Sequence, residues 1–194
     1  MPTPDRDGTV LVDVGCGGGL LADHIANHTH VGIDLTWSAL ATARRHGVVP
    51  VCADAARLPL VDGSASVVVA GEVLEHVTDL PGVVAELCRV LSPGGTVIID
   101  TINDTWAARF LLVTIAERLP GGPPPRIHNP ALFVSPQRLQ AEFARHGVDL
   151  AVRGLRPSAR DYARFLRHRR RPVRMLTTRS LALVYRGVGR KSLA

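Results

Sequence analysis

VLVDVGCGGG, residues 10–19, sets an apolar β-branched run directly before a cluster of glycines. A strand that ends in glycines and leads towards a helix is the opening of a strand-turn-helix unit, so we read a strand over 9–14 and a helix over 20–28. The unit repeats outward from there. THVGIDL (29–35) reads as a strand, Trp37 to His46 as a helix and VVPVCAD (48–54) as a third strand. SVVVAG (66–71) is apolar throughout, as a central buried strand should be. Pro81 to Leu91 follows as an amphipathic helix stopped by SPGG (92–95), and TVIIDTI (96–102) is a fifth strand. Short apolar runs alternating with helices predict a parallel sheet covered on both faces.

The second half is less regular. An apolar helix over 106–119, a stiff PGGPPPR loop (120–126), a helix from Pro136 to His146, a sixth strand over 148–157 and a seventh over 180–189 are expected, with a basic helical stretch between the last two. No repeat or linker divides the 194 residues, a length suited to one domain with a substantial core. We therefore expect a single domain over 1–194.

Composition narrows the function classes. A hydrophobic fraction of 46% and a charged fraction of 21% exclude a disordered or fibrous chain. Aromatics at 4% argue against base-stacking platforms, and no Asn-Pro-Pro-Tyr-like motif is present, so a nucleic-acid partner is disfavoured. The net charge of +6 is uneven: residues 153–191 hold thirteen basic side chains against Asp161 alone. Such a segment attracts phosphate, whether on nucleic acid, an anionic membrane surface or an acidic partner. Cys16, Cys52 and Cys88 lack metal-ligand spacing and read as small buried residues of a reducing compartment, which predicts a cytoplasmic protein. MPTPDRDG at the start has no signal-peptide pattern, and the 106–119 segment falls short of the roughly 20 residues a spanning helix needs. That segment reads as a core or dimer helix, or as a peripheral membrane contact beside the arginines.

The first turn carries the chemistry. Gly15 and Gly17 fit the first and third positions of a dinucleotide fingerprint, but the sixth position is Leu20. Asp13 at the strand end would repel a pyrophosphate and suits a cationic, amine-bearing ligand such as S-adenosylmethionine. Asp34 ends the second strand, where a carboxylate can accept from both ribose hydroxyls. Asp54 ends the third, where it can accept from an adenine amino group. Glu72, Glu75 and His76 would converge if GEVLEHV (71–77) were helical.

Together VLVDVGCGGG, GIDL (32–35), CADAARLPL (52–60), GEVLEHV and LSPGGTVIID (91–100) resemble the class I S-adenosylmethionine-dependent methyltransferases over residues 9–105. More narrowly, GEVLEHV followed by TIND and PGGPPPRIHNPALFVSPQRL is similar to the ubiquinone-biosynthesis O-methyltransferases, which act on polyprenylated dihydroxybenzene rings. The resemblance implies a three-layer Rossmann-like fold: a seven-stranded mixed sheet whose last strand is antiparallel. It implies a cofactor-binding core over 9–105 and an acceptor-binding, basic portion over 106–194. Gly15 and Gly17 would line the methionine portion of the cofactor, Asp34 the ribose with Leu35 beside it, and Asp54 with Ala55 the adenine. The backbone near Gly71 would close the pocket.

The same resemblance associates Glu72, Glu75 and His76 with a divalent cation such as Mg. It also offers His76 and the loop residue His128 as bases for deprotonating a hydroxyl acceptor. Nitrogen or carbon methylation, or a binding subunit without catalysis, are the other readings. Members of the family carry helices before the first strand, whereas here that strand starts about nine residues from Met1. Three readings stay open: the start is incomplete, a homodimer mate or another lid-supplying partner covers the cofactor, or the site is open and weak.

Overall fold

The structure, a computed structural model, describes residues 8–25, 27–115, 118, 127–168 and 173–193. Its strands are β1 (Val10–Val14), β2 (Thr29–Asp34), β3 (Val49–Cys52), β4 (Ala65–Gly71), β5 (Leu91–Ile102), β6 (Val148–Pro157), β7 (Met175–Thr178) and β8 (Val184–Lys191). They form one sheet in the order β3-β2-β1-β4-β5-β8-β6-β7. The pairs from β3 across to β5 are parallel, while β8 lies antiparallel between β5 and β6. The antiparallel last strand is as expected, but the sheet has eight strands and not seven. The addition is β7, which pairs with β6 through Met175–Thr178 inside the stretch read as helical. Two consecutive threonines favour the extended state there.

The helices are α1 (Trp37–Arg45), α2 (Leu80–Val90), α3 (Trp106–Ala108), α4 (Pro136–Ala144) and α5 (Ala159–Arg167). Alternation along the strands sorts side chains to the two faces of the sheet. Val12, Val14, Ile33, Val68, Val97 and Ile99 join the large core with Leu87 of α2 and Phe143 of α4. Cys16 and Val48 pack under Leu40 and Ala43 of α1 in a smaller cluster. The spacing of α2 explains its place: Leu80, Val83, Val84, Leu87 and Val90 are all buried, a single stripe at helical period. Its N-cap, Asp79, accepts from the Gly82 N–H, and Ser135 caps α4 by accepting from the Arg138 N–H.

Three expectations change. Among its described residues the segment 20–28 holds only a 3-10 turn, Ala22–His24, because no side chain caps it and Asn27 at φ 65° turns the chain back towards β2. SPGG does not separate α2 from a later strand. It lies within β5, where pairing jumps from Ala65–Leu91 to Val67–Thr96, so these residues are a bulge with Gly94 at φ 72°. The 106–119 segment begins as the one-turn α3, capped by Thr105, and continues as a π-helix over Arg109–Ile115. Leu112 and Val113 pack on Ile102, Ala108 and Phe133, whereas Trp106, Phe110, Leu111 and Ile115 are exposed. The end of that segment and the whole PGGPPPR loop lie outside the described residues.

Close packing of β6 against the end of β7 and the connection that follows it depends on glycine. A Cβ built on Gly154 would overlap the Ser180 carbonyl oxygen, which is backbone and cannot swing aside. Gly154→Ala should therefore destabilise the fold by about 1–3 kcal/mol. Urea unfolding measures this, and a variant as stable as the wild type would contradict the packing described.

Candidate functional site

The strand order reverses between β1 and β4, so a crevice opens at the carboxyl ends of these strands. Three glycines shape the turn that enters it. Gly15, Gly17 and Gly19 all adopt positive φ (75°, 50° and 82°), a conformation costly for other residues. The Gly15 and Cys16 N–H groups donate to the Ile33 carbonyl at 2.8 and 3.0 Å, which fastens the turn to β2. A Cβ at Gly15 would clash with Val73 and one at Gly19 with the α1 backbone at Ala43, but Gly17 faces open space. A ligand can thus approach the backbone at Gly17.

Asp34 holds this geometry. Its Oδ2 accepts from the Gly17 N–H at 2.9 Å and its Oδ1 from the Thr36 N–H at 2.8 Å. Each oxygen keeps a second lone pair for a hydroxyl donor. At the end of β3 the Asp54 Oδ1 accepts from the Ala56 N–H at 2.9 Å in a local turn. A pocket of about 380 Å³ is lined by Val14, Gly15, Asp34, Leu35, Asp54 and Ala55 on one side and by Glu72, Val73 and His76 on the other. A nucleoside fits this set, since the carboxylates accept and the glycine wall is bare.

Three expected cofactor residues, Asp13, Gly17 and Gly71, do not line this pocket, although Gly17 and Gly71 both face open space. Asp13 is buried and its Oδ2 lies 3.2 Å from His30 Nε2, on the α1 face of the sheet, because strand alternation turns it away from Val12 and Val14. Gly71 ends β4 but does not line the pocket; it passes the chain on to Glu72. Burial, followed by the charges of Asp13 and Asp34, pushes the Cys16 thiol up to about 12, so it stays protonated and unreactive.

The far wall holds the remaining candidates. Glu72 sits at φ 56°, strained for a side chain of its size, and its N–H donates to the Asp100 carbonyl at 2.8 Å. The chain then makes a 3-10 turn, Leu74–His76, that sends Glu75 inward and His76 outward. Glu75 is fully buried; its Oε2 accepts from the Thr101 hydroxyl at 2.7 Å, and its Oε1 has no hydrogen-bond partner among the described residues. Glu72, Glu75 and His76 therefore do not share a helix face. Among the described residues no three His, Cys, Asp or Glu side chains are placed to hold a metal ion. The divalent-cation expectation does not fit this arrangement.

His76 and His128 do meet. Their rings stack with centroids 5.8 Å apart and planes at 19°, and Phe133 abuts His128 edge-on at 6.4 Å. Burial, then the neighbouring His128, pushes His76 below the ordinary imidazole range. Burial, then Glu75 and Asp100, pushes Glu72 up to about 7 although its surface reaches water. Sequence reading passes over the supports behind this wall. Arg186 on β8 grips Asp100 on β5 through two bonds of 2.7 and 2.6 Å, and Tyr185 donates to the Val134 carbonyl at 3.0 Å. The signal available was the polar pair Asp100-Thr101 at the end of an apolar strand.

A raised carboxyl pKa has a definite sign. Folded Glu72 retains a proton that the unfolded chain releases near 4.5, so its stabilising effect is complete below that value and is lost as the pH rises through about 7. Melting temperature should thus fall more steeply from about pH 5 to about pH 7.5 in the wild type than in Glu72→Gln. Parallel profiles would show that Glu72 titrates normally.

Comparison with known proteins accords with this geometry. Residues 12–99 match the family described as "Methyltransferase domain". The ubiquinone biosynthesis O-methyltransferase of Methylococcus capsulatus is 37% identical over 153 residues, which cover 74% of this chain and 65% of that protein. The chain thus spans just under two thirds of that relative's length. The protein of the same name from Paracidovorax citrulli is 36% identical over 172 residues, covering 80% of this chain and 71% of its own. In three dimensions a SAM-dependent methyltransferase from Thermotoga maritima matches with a TM-score of 0.71 at 17% identity, over 99% of this chain and 84% of that one. Because the Paracidovorax citrulli relative is 36% identical and covered over 71% of its own length, and residues 12–99 match the methyltransferase model, the chain belongs to the class I S-adenosylmethionine-dependent methyltransferase family.

Proposed function

We propose that the chain transfers a methyl group from S-adenosylmethionine to a hydroxyl of a small aromatic or quinol-like acceptor. The observation that carries this reading is the stacked His76–His128 pair, which sets imidazoles beside the pocket whose other wall presents Asp34 and Asp54. The names of the relatives support a hydroxyl acceptor. In this reading residues 9–105 hold the cofactor and residues 106–194 build the acceptor side.

When bound, S-adenosylmethionine supplies a methyl group already activated on a sulfonium. The chain's own task is alignment and proton removal. Asp34 would accept from the ribose hydroxyls and Asp54 from the adenine amino group, while Gly15 and Gly17 would leave room for the methionine portion. His76, pushed below the ordinary imidazole range by burial and then by His128, would take the proton from an acceptor hydroxyl placed beside it. His128 stacks on that ring and fixes its orientation. No step passes through a metal.

Calorimetry with S-adenosylhomocysteine and rate measurements with a catechol test the two halves of this reading separately. Asp34→Ala should weaken product binding by at least roughly tenfold, because it removes charge-assisted bonds to two hydroxyls. His76→Ala should lower kcat for the catechol by roughly a hundredfold or more while leaving that affinity unchanged. Wild-type binding with an unchanged rate in His76→Ala would point to nitrogen or carbon methylation. No binding at all would mark a methyltransferase-like binding subunit.

A further inference from the structure

The strand order ends at β7, and the backbone bonds fix what that edge of the sheet presents. The Ser158 N–H donates to the Arg174 carbonyl at 2.8 Å, which makes 158 and 174 a bonded pair of the antiparallel β6–β7 ladder. By alternation 156 bonds with 176 and 154 with 178. Met175 and Thr177 therefore turn both their N–H and C=O groups outward, where the described residues offer them no partner. Pro157, opposite Met175, stands at a position that needs no N–H. The far edge strand, β3, is blunted by Pro50. β7 has neither a proline nor a charge in Met175–Thr178, and Met175 is 48% and Leu176 38% exposed.

Charge and register together select the occupant of this edge. Arg174, just before the strand, is bonded to the buried Asp161 of α5 at 2.7 Å, so its charge is balanced within the chain. An acidic strand from another protein would find that guanidinium already taken. Two β7 strands set antiparallel about Leu176 bring Met175 opposite Thr177 of the second copy, twice, and close four backbone bonds. In that register Arg174 faces Thr178 and Arg179 faces Val173, so no arginine meets an arginine along the pair. Leu176 meets Leu176 of the second copy at the closely spaced, non-bonded position, apolar against apolar.

We propose that β7 is the contact between two copies of this chain, joined antiparallel across a two-fold axis at Leu176 into one continuous sheet. The arrangement is isologous, each copy offering the same donors and acceptors to the other. It also fixes where the two cofactor pockets lie. β6 runs parallel to β5, since both are antiparallel to β8, and the two-fold axis reverses every strand of the second copy. The pockets therefore open at opposite edges of the joined sheet. Neither copy covers the cofactor of the other, and each pocket stays as accessible as in the single chain.

Sedimentation velocity of the full chain tests this independently of catalysis. The wild type should pass from monomer to dimer with a dissociation constant on the order of micromolar, as suits a small contact. Thr177→Pro removes an outward N–H and no β6–β7 bond, and should raise that constant at least roughly tenfold, with an unchanged circular-dichroism melt as the check on folding. Leu176→Cys should cross-link into dimers under mild oxidation, because opposed residues of a non-bonded pair lie about 4.5 Å apart at Cα, within disulfide reach. Thr178→Cys, roughly 13 Å from its own counterpart in this register, should not. A wild type that stays monomeric at about 100 μM, a dimer that Thr177→Pro leaves intact, or equal cross-linking of the two cysteine variants would overturn the proposal. Should Thr177→Pro fail to fold, the contrast between the two cysteine variants decides alone.

Discussion

Parallel strands cannot be joined by tight turns, and most of this molecule follows from that constraint. Each crossover must climb over the sheet, and those leaving β1 and β2 run one way while the chain re-enters at β4 on the other side of β1. Two neighbouring strands thus send their connections apart, and the space between them stays open. The glycine turn and the wall from Glu72 to His76 line opposite sides of that opening. Asp34 then performs two tasks with one carboxylate, since it ties the turn to β2 through Gly17 and still offers lone pairs to a ligand. Structural and binding roles coincide there, so a change at Asp34 alters the loop as well as its contacts.

The two walls differ in their electrostatics. On the near side, the carboxylates of Asp34 and Asp54 are surface-accessible and hydrogen-bonded by backbone N–H groups. On the far side, Glu72 and Glu75 are pushed towards their neutral forms mainly by burial, while Arg186 neutralises Asp100 behind them. Negative charge is thereby concentrated where a nucleoside's hydroxyl and amino groups would sit. The far wall is more nearly neutral, which leaves an imidazole there without a fully charged carboxylate to hold it protonated.

Much of this was legible in the residues because it is local. The first five strands are apolar runs that end at or within two residues of a glycine or aspartate, and Gly15, Asp34 and Asp54 each lie within a few positions of a strand end. Asp13 also lies near one, and its misplacement has a simple cause: period-two alternation sets it opposite Val12 and Val14, a pattern already present in the sequence. What escaped reading is long-range. Arg186 meets Asp100 only through the β5–β8 register, and Glu75 meets Thr101 only after a turn of three residues replaces the helix expected at GEVLEHV. His128 was found through family likeness, since nothing near it in the chain announces His76. β7 is too short to compete with the basic helix beside it until β6 offers a pairing edge.

The place of β8 has a consequence for how the chain is made. It is synthesised after every other strand, yet it lies between β5 and β6 and supplies hydrogen bonds to both. Until it emerges from the ribosome, β5 and the β6–β7 hairpin each present a bare backbone edge, and the Asp100 carboxylate waits for its guanidinium. The two halves can therefore pre-form separately, but they become one sheet only once β8 is available to pair with both. Non-local pairing of this kind is slow, and the unsealed edges are where a nascent chain is open to misassociation or to a chaperone.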